Sequence, residues 1–288
     1  MVRPLRQFLP KRFRKTEFVV PVVRLSGVIM AGGGGPFRSA ISLASAAPLL
    51  EKAFAMKDAP AVAISINSPG GSPVQSRLVF QRIRDLAEEK GKHVIVACED
   101  LAASGGYMIA CAGDEIIADP STVVGSIGVV SGGFGFVDLI AKLGVERRVH
   151  TAGQNKATLD PFRPERPEDV EHLKELQLDV HKTFIDLVKS RRGAKLADHP
   201  DLFTGLFWSG VRGLDLGLVD RLGDLRGVVR ERYGPSAKLA VVQGRRGLFG
   251  RRAAGAAAGL DAAGLASALG GGLLDAAQER ELWARYGL

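Results

Sequence analysis

KHVIVACEDLAASGGYMIACAGDE, residues 92–115, is the stretch that decides the fold. Its apolar run His93–Cys98 is typical of a strand buried on both faces, and we expect that strand to end near Cys98. The next residues predict a helix that begins near Ser104, although Gly105 and Gly106 each weaken a helix by about 1 kcal/mol relative to alanine. Such glycines let another backbone approach closely and leave N–H groups unpaired at the start of the helix, where an oxyanion can bind. Ser104 is therefore a candidate nucleophile; the alternative is that it only caps the helix and the glycines only allow close packing.

Strands and helices alternate around this stretch. The pattern predicts strands at Ala61–Asn67, His93–Cys98 and Glu115–Ala118, with helices at Val74–Lys90 and Ser104–Ala112. This alternation is typical of repeated βαβ units with right-handed crossovers, so the predicted class is α/β with a mostly parallel sheet. Further strands are expected at Ser126–Val130, Arg147–Thr151, Gly217–Asp220 and Leu239–Val242, and a long helix at Glu168–Arg192. Pro21 indicates that the first strand lies at a sheet edge or a bulge.

The composition is that of a globular protein with a sizeable core: 288 residues, 46% apolar and 24% charged. We expect a basic leader at residues 1–16, one folded domain at 17–243 and an Ala- and Gly-rich tail at 244–288. The formal net charge of +8 arises largely from the leader and from arginines near residue 250. No aromatic residues interleave with these cations at a recognisable spacing, so we expect no nucleic-acid partner and instead peripheral contact of the basic ends with an anionic membrane surface.

The cysteines and the leader indicate the compartment. Cys98 and Cys111 fall in elements predicted to be buried, and they do not make a disulfide framework. Pro4 and Pro10 interrupt the leader, so it does not resemble a secretory signal, and no apolar run reaches the roughly 18 residues that a membrane-spanning helix needs. We therefore expect a cytoplasmic protein.

A second glycine turn, INSPGGSP at residues 66–73, follows the predicted strand Ala61–Asn67. Ligands of open α/β sheets lie at this carboxyl end of the strands. Gly71 and Gly105 would follow neighbouring parallel strands, so that their N–H groups could converge on one carbonyl oxygen. The alternative is an ordinary strand-to-helix turn.

A serine nucleophile also needs a base. Among the five histidines, His150 is the plausible base, since it ends a predicted strand. Lys156, in TAGQNKATLDPF at residues 151–162, is the other candidate, because a lysine acts as a base once desolvation or a neighbouring cation favours its neutral amine. Ser126, in VVGSIGVV at residues 123–130, would then orient the amine. The alternatives are a solvated loop lysine and a turn serine.

Five motifs in order resemble the signal peptide peptidase A family of serine peptidases: INSPGGS, DLAASGGYMIA, VGSIGVV, TAGQNKA and WSGVRGLDLGLVDRLGD. The resemblance extends over residues 18–243 and fits the short, single-domain form of the family. It implies a crotonase-like or Clp-protease-like fold and a Ser/Lys dyad, without a metal or cofactor. The implied roles are nucleophile for Ser104, general base for Lys156, orientation of the lysine for Ser126, and oxyanion-hole donors for Gly71 and Gly105.

The resemblance also implies a homo-oligomeric ring and extended, apolar peptide substrates such as the signal peptides left after export. Many family members have an N-terminal membrane anchor, in whose place this chain has its basic leader. Two other functions stay open. One is a crotonase-type enzyme acting on acyl-CoA thioesters, which would use the two N–H donors but not Ser104; the other is a non-catalytic scaffold in which Lys156 stays solvated.

Overall fold

A computed structural model describes residues 18–32, 40–243 and 280–288. The strands in these ranges are β1 (Val19–Ser26), β2 (Ala61–Ser68), β3 (His93–Ala103), β4 (Glu115–Ala118), β5 (Val123–Gly125), β6 (Phe207–Ser209), β7 (Arg221–Leu222) and β8 (Lys238–Val241). They form one sheet in the order β6-β5-β3-β2-β1-β8, and β4 pairs with β3 and with β7. Only the β5–β6 pair is antiparallel among these strands, so the predicted α/β class with a mostly parallel sheet is confirmed.

The helices connect consecutive strands, as the alternating pattern predicts. They are α1 (Leu43–Phe54), α2 (Pro73–Lys90), α3 (Gly105–Ala110), α4 (Val137–Lys142), α5 (Pro167–Arg192), α6 (Gly210–Asp215) and α7 (Leu225–Tyr233), with a 3-10 helix at Gly193–Lys195. The bounds of α2 follow from its sequence: Ser72 caps its start, Pro73 occupies the first turn, and Gly91 ends it in the left-handed conformation.

Both faces of the sheet are covered, which explains why the central strands read as continuous apolar runs. In β2, Val62, Ile64 and Ile66 face a large core that α1, α2, α3 and α5 complete. Ala61 and Ala63 face a smaller core on the other side, closed by Val228 and Val229 of α7 and neighbouring residues.

The sequence predicted that β3 would end near Cys98, and this is wrong, because the strand extends to Ala103. Its first half pairs with β4 and its second half with β5, and the register with β2 shifts between these halves. Glu99 and Asp100 lie at that shift. Their charges interrupt the apolar pattern without ending the strand, because side chains of neighbouring strands bind them.

Several other sequence-based boundaries are wrong. β5 ends at Gly125, because Ser126 has a left-handed φ of 54° and turns the chain out of the sheet, so the strand expected at Ser126–Val130 is absent. Arg147–Thr151 forms no strand and is largely exposed. No strand forms at Gly217–Asp220; the two-residue strand β7 begins directly after this segment, at Arg221. β1 lies between β2 and β8, so Pro21 does not mark an edge strand.

The predicted leader and most of the predicted tail lie outside the described residues. The last nine residues are described, and residues 280–284 of them are helical. Nowhere in the described ranges is a helix both long and apolar enough to cross a membrane.

Candidate active site

Ser104 lies on a strained turn between β3 and α3. Its φ of 52° and ψ of −122° are unusual for a residue with a side chain. The turn is held on both sides, since Ser104 N donates to Gly125 O at 2.8 Å and Ser104 O accepts from Met108 N at 3.0 Å. The hydroxyl does not cap α3, and the residue is half-buried. Within residues 18–32, 40–243 and 280–288 the hydroxyl has no hydrogen-bond partner, and a strained backbone with such a hydroxyl is the geometry that an accessible nucleophile needs.

The glycines around Ser104 are required because other groups occupy the space of their missing side chains. A Cβ at Gly105 would lie 2.2 Å from Ser76 Oγ, and a Cβ at Gly106 would lie 2.7 Å from Ser68 O. A Cβ at Gly70 would lie 2.8 Å from both Ser104 Cβ and Gly105 N. The turn after β2 therefore packs directly against the turn that carries Ser104.

The two predicted oxyanion donors lie on these adjoining turns. Ile29 pairs with Gly71 as in a parallel sheet: Ile29 N donates to Gly70 O at 2.8 Å, and Ser72 N donates to Ile29 O at 2.7 Å. In this pattern the N–H of Gly71 points away from Ile29, toward the side of the sheet on which β3 continues. Gly105 is the first residue of α3, where the N–H has no partner within the helix. The structure thus brings Ser104, Gly71 and Gly105 together.

Ser126 also lies beside Ser104, because Gly125 accepts the hydrogen bond from Ser104 N. Its left-handed turn is fixed by a hydrogen bond from Ser126 N to Leu206 O at 2.8 Å. The Ser126 hydroxyl accepts a hydrogen bond from the Tyr286 hydroxyl at 3.1 Å. The Tyr286 ring packs edge-on against Phe207 with centroids 5.0 Å apart, so the end of the chain contacts the candidate site.

Lys156 is not brought to Ser104 within the single chain. Its side chain is exposed and makes no hydrogen bond or ion pair with the described residues. The surrounding arm, which we define as residues 128–168, contains no residue that is buried as a whole. Contacts of its own hold it together, such as the hydrogen bond from Phe136 N to Pro161 O at 2.7 Å and the Arg147–Asp160 ion pair at 3.0 Å.

Sequence reasoning missed two polar groups near the site. One is His181 on α5, whose Nε2 lies 3.0 Å from Ile127 O and supports the turn after Ser126. Tyr286 carried no signal, because its contact joins residues distant in sequence. His150, the histidine considered as a base, is exposed on the arm.

A network of buried hydrogen bonds and an ion pair holds α3 in place. The Tyr107 hydroxyl donates to Leu218 O at 2.7 Å, and the buried Arg192 side chain pairs with Asp220 at 2.8 Å. Burial opposes ionisation of Asp220, but hydrogen bonds from Arg192, Lys195 and Ile116 N outweigh it and hold its pKa below the ordinary value. Burial raises the pKa of Cys98 and of Cys111 to about 12, so both thiols are neutral structural groups.

Two cavities lie near the carboxyl ends of the strands. A small apolar pocket of about 190 Å³ is lined by Pro73, Val74, Leu78, Met108 and Val180, among others. Met108 is one helical turn after Ser104, and Pro73 follows Gly71 by two residues, so this pocket adjoins the candidate site. A larger cleft of about 710 Å³ lies on the opposite face of the sheet and does not include Ser104.

Within the described ranges, no group of three or more His, Cys, Asp or Glu side chains could hold a metal ion. The fold and the site define an α/β protein that has, at a strand end, a serine hydroxyl without a hydrogen-bond partner among the described residues and two backbone donors beside it. This arrangement suits attack on a carbonyl group and stabilisation of the resulting oxyanion.

Comparison with protein families agrees with an α/β protein whose site suits attack on a carbonyl group. The model of Peptidase family S49 matches residues 87–236, more than half of the chain, and the chain belongs to this family of peptidases. Its crotonase-like or Clp-protease-like fold is the fold of S49 peptidases.

Two of the three relatives described next have names that agree with the family. The serine protease SPPA of Arabidopsis thaliana chloroplasts is 32% identical over 69% of this chain and 30% of that protein. Protease 4 of Haemophilus influenzae is 31% identical over 74% of this chain and 34% of that protein. A Brucella abortus protein named Na(+)/H(+) antiporter NhaA is 61% identical over 99% of this chain and 39% of that protein. The chain thus spans less than half the length of these relatives, and we assign it by the family model rather than by the antiporter name.

Proposed function

We propose that the chain is a serine endopeptidase that cleaves extended, apolar peptides, including residual signal peptides, through a Ser104–Lys156 dyad. The observation that carries the proposal is the uncommitted Ser104 hydroxyl on a strained turn, with the Gly71 and Gly105 N–H groups beside it. Among the relatives, one from Enterococcus faecium is named a putative signal peptide peptidase, which agrees with this substrate class.

In the proposed mechanism, the neutral Lys156 amine accepts the Ser104 proton as Ser104 Oγ attacks the peptide carbonyl. The N–H groups of Gly71 and Gly105 stabilise the oxyanion, and Ser126 orients the lysine. The protonated lysine then delivers its proton to the leaving amine, and water hydrolyses the acyl-enzyme with the same base.

The pocket beside Ser104 supports the substrate class. Val74 and Leu78 at its rim are 65% and 40% exposed, so an apolar side chain of a substrate would cover surface that water now contacts. An extended peptide would pair with a strand edge next to the cleft, which leaves its side chains free to enter such pockets.

A second copy of the chain supplies the lysine in this proposal. Large apolar side chains of the arm are highly exposed, with Val130 at 69%, Phe134 at 78% and Leu143 at 67%. Exposed apolar groups of this size are typical of an interface, and the resemblance to ring-forming peptidases favours a homo-oligomer. Burial of the arm against a neighbouring copy would remove Lys156 from water, which favours the neutral amine that a general base requires.

The cellular setting follows from the same proposal. We place the enzyme in the cytoplasm, where the basic ends of the chain contact the anionic inner face of the membrane. Each cation near such a surface contributes about 1 kcal/mol of attraction.

A fluorogenic apolar peptide tests the dyad. Wild type, Ser104→Ala and Lys156→Ala are compared with the matched control Lys57→Ala, which removes an exposed lysine between α1 and β2, at the other end of the strands. We expect Ser104→Ala and Lys156→Ala to lose activity about 1,000-fold or more, while Lys57→Ala retains it.

Circular dichroism shows whether each variant folds. Folded Ser104→Ala with wild-type turnover would overturn the serine mechanism. Folded Lys156→Ala that matches Lys57→Ala would overturn the role of the lysine and favour a protein in which Lys156 stays solvated.

A further inference from the structure

The pairing of β2 with β3 contains an irregularity between Cys98 and Ala102, shortly before β3 ends and the turn with Ser104 begins. Ile66 pairs with Cys98, and the next pair is Ser68 with Ala102. β2 advances by two residues between these pairs while β3 advances by four. The extra length forms a bulge at Glu99–Asp100, and bulges next to active sites commonly re-aim the residues that follow.

Side chains from the neighbouring strands bind the first bulge residue. The Glu99 carboxylate accepts a hydrogen bond from Ser65 Oγ and pairs with Arg24 at 3.2 Å. On the other side, Thr122 Oγ1 donates to Glu99 O at 2.7 Å. These contacts hold Glu99 but do not reach the residues that lead to Ser104.

Asn67 binds the second half of the bulge with both ends of its amide. Its Nδ2 donates to the Asp100 carboxylate at 2.7 Å, and its Oδ1 accepts from Leu101 N at 3.1 Å. Its own carbonyl accepts from Gly27 N at 2.9 Å, which ties the residue to the end of β1. Because one end must donate and the other must accept, an aspartate at this position would face Asp100 with a second carboxylate.

The position of Leu101 determines that of Ser104. Leu101, Ala102 and Ala103 run without interruption along β5 to the strained turn. That turn packs against Gly70, whose missing side chain leaves room for Ser104 Cβ and Gly105 N. A slip of one residue in the bulge would turn Ser104 to the other face of the sheet.

We propose that Asn67 is a positioning residue for the reaction: by joining Asp100 to the backbone of Leu101, it fixes the bulge and thereby the placement of Ser104 against the Gly71 and Gly105 N–H groups. The proposal rests on the proposed serine peptidase function. Asn67 acts through Ser104, so its loss should slow the chemical step more than it weakens substrate binding.

The test compares Asn67→Asp, Asp100→Asn and the double variant in the peptide assay and in the rate of Ser104 labelling by a fluorophosphonate. In the double variant, the new amide at position 100 can donate to the new carboxylate at position 67, which still accepts from Leu101 N. The matched control is Gln81→Glu, which makes the same amide-to-carboxylate change where Gln81 Nε2 donates to Asp85 at 2.8 Å on α2.

We expect Asn67→Asp to lower kcat and the labelling rate on the order of 10-fold to 100-fold with KM changed less than about threefold. The double variant should recover to within about threefold of wild type, and Gln81→Glu should match wild type.

Failure of this inference and failure of the proposed function give different results. Absence of Ser104-dependent labelling in wild type would overturn the serine peptidase itself. Normal wild-type labelling with an unaffected Asn67→Asp, or a double variant no better than Asn67→Asp, would overturn the positioning role. Thermal unfolding of each variant identifies a loss of activity that comes only from unfolding.

Discussion

Substitution of Gly105 by alanine tests whether close packing against α2 shapes the candidate site. The new Cβ would lie 2.2 Å from Ser76 Oγ, which a hydrogen bond to Ser72 O at 2.8 Å holds in place. Ser76 is fully buried, so its hydroxyl has little room to move. Forcing an extra methyl group into such a site costs about 1–3 kcal/mol, of which alanine recovers up to about 1 kcal/mol through its helix propensity.

The difference leaves a net loss of about 0–3 kcal/mol for Gly105→Ala, and we expect the middle of this range, about 1–2 kcal/mol, or a decrease in Tm of roughly 2–8 °C. Removal of Ser76 Oγ, the obstructing atom, should reverse this loss of stability. In the double variant Gly105→Ala with Ser76→Ala, the closest remaining contacts are 3.2 Å to Ile29 Cδ1 and 3.3 Å to Ser76 Cβ. Small side-chain shifts can relieve both.

The assay is chemical unfolding of wild type, the two single variants and the double variant, with Ser104 labelling measured in parallel. Ser76→Ala alone should cost about 0.5–1.5 kcal/mol for one lost hydrogen bond. We expect the double variant to be more stable than the sum of the single changes by about 1 kcal/mol or more. Additivity to within about 0.5 kcal/mol would refute the reasoning, because it would show that the two groups do not compete for space.

Two further predictions concern groups around the site. Tyr286→Phe frees the Ser126 hydroxyl. It should raise the rate of Ser104 labelling roughly twofold to tenfold, which corresponds to the free energy of one neutral hydrogen bond, whereas Tyr233→Phe on α7 should leave the rate unchanged. An unchanged or slower labelling rate in Tyr286→Phe would contradict a competing role for Tyr286. Asp220→Asn removes the charge partner of the buried Arg192 and should destabilise the fold by about 3–5 kcal/mol. Because the pKa of Asp220 is lowered in the folded protein, its contribution is complete above the unfolded value of about 3.9 and is lost as the pH falls through the folded value. The variant should therefore show a flatter decline of stability below about pH 4, and equal declines would contradict the assignment.

The central strands and the helices between them could be predicted from sequence because the apolar runs of β2 and of the first half of β3 are buried on both faces. The positions of Ser104 and Gly105 between β3 and α3, and of Gly71 in the turn between β2 and α2, could be predicted from these elements, while the chemical roles of the three residues stay predictions. The end of β3 could not, since Glu99 and Asp100 break the pattern and only the folded chain shows that Asn67 and Ser65 bind them.

The structure of the arm and the contacts of the end of the chain could not be predicted from local sequence patterns for another reason. Residues 147–151 have strand-like composition, but no neighbouring strand pairs with them. The contact between Tyr286 and Ser126 joins residues far apart in sequence, and no periodicity records it. The partner of Lys156 is likewise not determined by the single chain, whose arm buries no whole residue.

Co-assembly of two inactive variants tests most directly the claim that Ser104 of one copy works with Lys156 of another. Ser104→Ala and Lys156→Ala are co-expressed with different tags, and particles that carry both tags are isolated and assayed with the apolar peptide. Among particles that carry both tags, random assortment leaves both groups intact at about a quarter of the intersubunit sites in a large ring and at about half of them in a dimer, so we predict recovery of about a quarter to a half of wild-type activity. Mixed particles that remain as inactive as either variant alone would contradict the account.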